Sequence, residues 1–207
     1  MLTLFIIVSV FALSHQQCCF PSQWEGIESG SMASVPQGNN PVPVFTSFNY
    51  LLSVDYSKHL LYLSGSVTTD GQTTQIKVIR DYSAKIQYVI DVSTNTCKKT
   101  VMTDKEVTCL GTNGDNSTVV AKTYFGAGGQ QLPFTVYRSV FNGYPSTLSV
   151  AEGCIPVGAT YHGSDENGNS VIGSIGYHSI TPGISDLSVF AVPANCVAAP
   201  LAGTVVG

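Results

Sequence analysis

The stretch Ile86-Gln87-Tyr88-Val89-Ile90-Asp91-Val92 decides the fold class. Ile86, Tyr88, Ile90 and Val92 fall on one face and Gln87 and Asp91 on the other. A period of two is the mark of a strand with one face buried. Upstream, Ile76 and Val78 alternate with Gln75 and Lys77 in the same way. Residues 171–177 repeat the pattern, with Val171, Ile175 and Tyr177 opposed to Ser170 and Ser174. The stretches 45–54, 59–63, 118–125 and 134–141 are rich in aromatic and β-branched residues, which suit a pleated, half-buried surface. Asp70-Gly71, Asn113-Gly114-Asp115, Gly126-Ala127-Gly128-Gly129, Asn142-Gly143 and Glu166-Asn167-Gly168-Asn169 punctuate them as turns. No stretch sustains a 3.6-residue apolar period. Roughly nine to eleven strands at ~8–12-residue spacing make the chain all-β, a sandwich or barrel. The segment 29–43, rich in Gly, Ser, Asn and Pro, reads as a loop or a loosely paired edge.

Composition narrows the function classes. The chain has 207 residues, 43% apolar and only 11% charged, which suits one domain with a sizeable core and excludes a disordered chain. The net charge is −4 with nine Lys plus Arg, so the basic stripe that a phosphate backbone requires is missing and nucleic acid is not an expected partner.

Residues 2–13 are apolar except for Thr3 and Ser9, and Ala12-Leu13-Ser14 follows with small residues at the −3 and −1 positions of a cleavage site. The run is shorter than the ~20 residues of a membrane span. We read residues 1–14 as a signal peptide, with a secreted, extracellular product and no transmembrane anchor. Residues 198–207 read as a short C-terminal tail. Six cysteines, at 18, 19, 97, 109, 154 and 196, form an even set suited to an oxidising compartment. A bridge between the neighbours Cys18 and Cys19 would strain the intervening peptide. Several connectivities remain open on residue arithmetic alone.

Chemistry-bearing motifs are sparse. No Gly-x-Ser-x-Gly elbow is present, and Gly126-Ala127-Gly128-Gly129 lacks the Lys-Ser/Thr of a phosphate loop. Glu25, Glu28, Asp55 and Glu152 supply carboxylates, but nothing in the sequence singles out a pair, and an enzyme is not expected. Asp165, Glu166 and Asn167 open the best local cluster of hard oxygen ligands, although the spacing departs from a calcium loop and a plain polar turn is the favoured reading. Asn116-Ser117-Thr118 is an N-glycosylation sequon after a turn.

Five segments, in order, resemble the ependymin-related family. They are Cys18-x-x-Pro21-x-x-Trp24-Glu25-Gly26, Val54-Asp55-Tyr56, Tyr88-Val89-Ile90-Asp91 followed by Cys97, Gly153-Cys154-Ile155-Pro156-Val157, and Ser188-Val189-Phe190-x-x-Pro193-x-x-Cys196. The resemblance spans residues 18–196 and implies a single domain over 18–197. It implies two stacked, curved antiparallel sheets, a half-barrel or sandwich enclosing an apolar pocket, similar to bacterial lipoprotein-carrier folds. It also implies a secreted or lysosomal glycoprotein, calcium as a cofactor, a role in cell–matrix adhesion, and a homodimer. Among the cysteines it implies Cys18–Cys154 and Cys97–Cys196, which leaves Cys19 for Cys109; exchanging Cys18 and Cys19 stays open. On this reading the protein carries an apolar, lipid-like molecule. Ile86, Tyr88, Ile90, Val136, Val171, Ile175 and Tyr177 are the expected pocket lining. The alternative is an extracellular, calcium-linked matrix-adhesion protein that carries no ligand.

Overall fold

A computed structural model describes residues 17–112, 116–141, 143–165 and 167–205. The signal-peptide reading at 1–14 and the candidate ligand Glu166 lie outside the described residues. In chain order the strands are β1 (Cys18–Cys19), β2 (Gln23–Val35), β3 (Val44–Asp55), β4 (Leu60–Thr69), β5 (Gln72–Asp81), β6 (Ile86–Asp91) and β7 (Thr96–Met102). They continue as β8 (Cys109–Leu110), β9 (Thr118–Ala127), β10 (Gln130–Phe141), β11 (Tyr144–Ala151), β12 (Pro156–Ser164), β13 (Ser170–Pro182) and β14 (Leu201–Val205). Among the described residues helical structure is confined to single turns at Glu152–Cys154, Leu187–Phe190 and Ala194–Val197.

Twelve strands form one sheet in the order β14-β7-β6-β5-β4-β3-β2-β13-β12-β11-β10-β9, and β1 and β8 form a separate two-stranded sheet. All pairings are antiparallel except β14 with β7, so part of the stretch read as a tail serves as an edge strand. The fold is all-β and open: the two ends of the large sheet, β14 and β9, do not pair. The two halves are joined by the long β2–β13 ladder, which runs from Ser170↔Val35 to Pro182↔Trp24 with one bulge.

The sheet curls strongly. Arg80 on β5 and Val140 on β10 line the same cavity, although seven strand spacings separate those strands. At ~4.8 Å per spacing a flat sheet would hold them more than ~30 Å apart. Cross-strand partners assign the inner, concave face. Leu148, Ala159, Ile175, Gly30 and Phe48 follow one another across five strands through direct pairing.

The core has three parts. Tyr137, Leu148, Val150, Tyr161, Val171 and Ile175 pack with Leu110 on the inner face. Trp24, Leu52 and Val54 form a second cluster beside it, with Leu61, Leu63 and Tyr177. Ile79, Ile90 and Cys196 form the third, against Tyr62, Tyr88, Cys97 and Val192. That third cluster is on the opposite face, covered by the C-terminal segment, which the Cys97–Cys196 disulfide fastens there. The other disulfides are Cys18–Cys154 and Cys19–Cys109. Cys19 and Cys109 face each other in the β1–β8 ladder, so this small sheet is closed covalently.

The segment 29–43 meets the expectation of a loop at 36–43 and departs from it, and from a loosely paired edge, at 29–35. Its first part, through Val35, belongs to β2, which is paired along both edges by β3 and β13. The small residues answer crowding. A Cβ on Gly30 would stand 2.3 Å from the Ser174 carbonyl oxygen and 2.7 Å from the Phe48 ring.

Candidate functional site

The concave face does not close on itself completely. A cavity of about 140 Å³ remains between the two halves of the sheet. Its apolar wall comes from Trp24, Leu52, Val54, Leu61, Leu63, Leu148 and Ile175. The strands place these residues by alternation: Leu52 and Val54 are two apart on β3, as are Leu61 and Leu63 on β4. Phe20 and Val107 also contribute, and the irregular segment 103–108 crosses the cavity as a strap. The strap is anchored by β7 on one side and by the Cys19–Cys109 bridge on the other, and Phe20 N–H donates to the Thr108 carbonyl at 2.9 Å. Beyond the strap lies a second space of about 440 Å³. The two share Lys105, Glu106, Val107 and Val140 as a common wall.

One end of the inner cavity is polar. Glu28 lines it, and Tyr177, its cross-strand partner, hydrogen-bonds its carboxyl. Burial pushes the Glu28 pKa up to about 7, against the opposing pull of the Arg80 charge and the Tyr177 hydrogen bond. Arg80 sits beside it; its Nε donates to Gln87 Oε1 at 2.8 Å and its Nη1 lies 3.8 Å from Asp104 Oδ2. Burial and the Glu28 charge hold the Tyr177 hydroxyl well above the usual tyrosine range. On the strap, Glu106 Oε2 meets His59 Nδ1 at 2.5 Å, and that hydrogen bond, with the carboxylate charge, raises the imidazole pKa. Asp104 Oδ1 and Glu106 Oε1 are buried without a hydrogen-bond donor among the described residues.

The structure divides the expected pocket residues. Ile175 and Tyr177 line the cavity. Val171 is on the same inner side but packed into the core with Tyr137 and Leu148. Val136 pairs with Ser149 and sits on the face opposite Leu148, away from the cavity. Tyr88 and Ile90 point to the other side of the sheet, into the cluster around Cys97 and Cys196, and Ile86 shares their face. For these three and Val136 the pocket assignment is corrected. The physical reason is that both faces of β6 are covered. Gln87, on the inner face, is as well buried as the apolar residues beside it because Arg80 satisfies it. Glu28, Arg80, His59, Asp104 and Glu106 were not legible as a set. The available signal was a charged residue inside an apolar alternation, as in Val78-x-Arg80-x-Tyr82.

The remaining candidates are turn and surface residues. Asp165 Oδ1 accepts from the Asn167 and Asn169 backbone N–H groups at 2.9 Å each, and Oδ2 accepts from Asn169 Nδ2 at 2.9 Å. Its carboxylate is thus engaged in holding its own turn, and no grouping of three or more His, Cys, Asp or Glu side chains suited to a metal occurs among the described residues. Asn116 is exposed beside the outer space. Of the four scattered carboxylates only Glu28 lines the inner cavity; Glu25 accepts from Ser185, and Asp55 from Gln23, Ser57 and the Lys58 N–H. No helix among the described residues is long and apolar enough to cross a membrane.

Comparison with known proteins agrees with this architecture. The chain is 24% identical over 189 residues to ependymin-related protein 1 of Haliotis asinina, covering 82% of this chain and 92% of that protein. A crystal structure of an uncharacterized conserved protein from Thermus thermophilus shares the fold at a TM-score of 0.50 with 9% identity, over 88% of this chain and 91% of that one. An outer membrane lipoprotein-sorting protein domain from Vibrio parahaemolyticus aligns at a TM-score of 0.35 with 10% identity over 80% and 88% of the two chains. The Ependymin family model matches residues 70–196, which includes β5 to β13, the strap and the Cys97–Cys196 bridge. The chain therefore belongs to the ependymin family.

Proposed function

We propose that this protein binds an apolar or amphipathic small molecule on the concave face of its curled sheet, in a secreted, extracellular setting, and does so without catalysis. One observation carries the reading. The inner face, where a sheet protein normally packs solid, keeps a cavity walled by Leu52, Val54, Leu61, Leu63 and Ile175 and crossed by a strap. Apolar cavities of about 150 Å³ stay dry and accept benzene-sized guests, so the inner space takes one end of a ligand. The outer space across the strap, at about 440 Å³, falls within the ~300–1,000 Å³ of small-molecule sites. A ligand occupying both would pass under or displace residues 103–108. The three disulfides support an oxidising, extracellular setting.

The test is delipidation followed by titration with a neutral fluorescent apolar probe. Leu63→Trp places bulk in the cavity from a partly buried position. It should abolish saturable binding while the protein keeps its far-UV spectrum. Ile90→Trp, on the other face, should lower stability and leave the probe affinity of the folded fraction unchanged. Binding lost in Ile90→Trp but kept in Leu63→Trp would put the site elsewhere.

A second reading, a homodimer or matrix-binding surface, draws on the β9–β10 hairpin. Every residue of β9 is exposed, and Phe125 stacks on Phe134 at 4.2 Å between ring centroids. Light scattering of Phe125→Ser against the unaltered chain tests it.

A further inference from the structure

Resting on that reading, we infer that the polar end of the site selects a headgroup that donates hydrogen bonds and carries no negative charge, such as a hydroxyl or amine, and turns away a carboxylate. The unpartnered buried oxygens of the strap point to it. Asp104 and Glu106 each have one oxygen toward a cation, Oδ2 toward Arg80 and Oε2 to His59. The other oxygen of each, Asp104 Oδ1 and Glu106 Oε1, is buried with no donor among the described residues. These side chains are only 5% and 10% exposed, so bulk water does not serve them. A buried acceptor without a donor forfeits its hydration for nothing, and a group that brings a donor removes that cost. Both residues line the outer space, and Glu106 also lines the inner one. The terminal torsion of a carboxylate is broad and soft, so either oxygen can turn to a ligand passing the strap.

The surrounding charges favour the same choice. Glu28, Asp104 and Glu106 bring three carboxyl groups to the walls, against Arg80 and Lys105. Arg80 is already engaged by Gln87, Asp104 and Tyr82. Lys105 is exposed, and a solvated ammonium attracts an anion weakly. At the strap an incoming carboxylate would meet acceptors and like charge; the one buried donor without a close acceptor among the described residues, Trp24 Nε1, is on the inner wall beside Tyr56, whose hydroxyl it faces. A hydroxyl or ammonium would meet two acceptors that have no partner.

The experiment uses the delipidated, disulfide-bonded chain loaded with a neutral fluorescent probe at pH 7.5. The competitors share a twelve-carbon chain: dodecanoic acid, its glycerol monoester and dodecylamine. The glycerol ester and the amine should displace the probe at least tenfold more effectively than dodecanoate. Asp104→Asn, alone and with Glu106→Gln, should bring dodecanoate to within about threefold of the others, because an amide nitrogen can donate to a carboxylate. A native far-UV spectrum and a cooperative thermal transition show that these variants are folded. Asp104→Asn leaves the His59–Glu106 contact in place should the double variant fail to fold. Equal displacement by all three overturns the headgroup inference and leaves the apolar reading standing. An advantage for the amine alone overturns it in favour of plain charge attraction. Failure of every amphiphile to displace the probe overturns both.

Discussion

Glu28 gives the sharpest test of the cavity's interior. Burial raises its pKa from an ordinary 4.5 to about 7. A carboxyl whose pKa is raised by folding stabilises the native state only where it stays protonated. Below about pH 4.5 it is protonated in both states and contributes no pH dependence. Between 4.5 and 7 the native chain keeps a proton that the unfolded chain releases, so stability falls as pH rises; above 7 the loss is complete. A rise from 4.5 to about 7, at about 1.4 kcal/mol per pH unit, amounts to roughly 3 kcal/mol. Glu28→Gln keeps the shape and removes the titration. Urea unfolding can be followed by Trp24, the single tryptophan, which is 3% exposed. Relative to the unaltered chain the variant should gain roughly 3 kcal/mol between pH 4.5 and 8, about 1.5 M in urea midpoint at an m-value of about 2 kcal/mol per M. A difference between the two chains that stays constant across that range would refute the argument and place Glu28 in water.

Replacing both Cys97 and Cys196 by Ala opens a loop of 99 residues and should cost about 4–5 kcal/mol, read by the same unfolding assay. Gly30→Ala drives a Cβ against the Ser174 carbonyl and the Phe48 ring, and should lose about 3 kcal/mol or more, or fail to be secreted folded. Asp165 already accepts three hydrogen bonds within its own turn, and no metal-suited group of His, Cys, Asp or Glu joins it among the described residues, so the 165–169 turn should not hold calcium and Asp165→Ala should leave the response of the Tm to millimolar calcium unchanged. A calcium-dependent rise that Asp165→Ala abolishes would place the ion there. Mass analysis of secreted protein should show a chain starting near His15 and a glycan lost in Asn116→Gln; a retained Met1, or equal masses of the two glycoforms, would count against these readings.

Alternation along the chain determined the class of fold. Ile86, Tyr88 and Ile90 against Gln87 and Asp91 can only be a strand, and Asp70-Gly71 can only be a turn between two of them. The composition of 29–35 misled because Gly, Ser and Ala at a crowded central strand look the same as Gly, Ser and Ala in a loop; only the Phe48 ring above Gly30 distinguishes them. The cavity was legible only in part, through Ile175 and Tyr177. Period two assigns residues to two faces but carries no label for which face is concave. That label depends on which side the sheet curls toward and on what covers the other side. Here the C-terminal segment, held by Cys97–Cys196, covers the Tyr88 and Ile90 face, so those apolar residues form core. The inner face of the same strand bears Gln87 next to Arg80. The meeting of Glu28, Arg80, Asp104, Glu106 and His59 is likewise a product of curvature. They are scattered over 79 positions of chain from Glu28 to Glu106, and only the curl of the sheet and the strap across it bring them to one place.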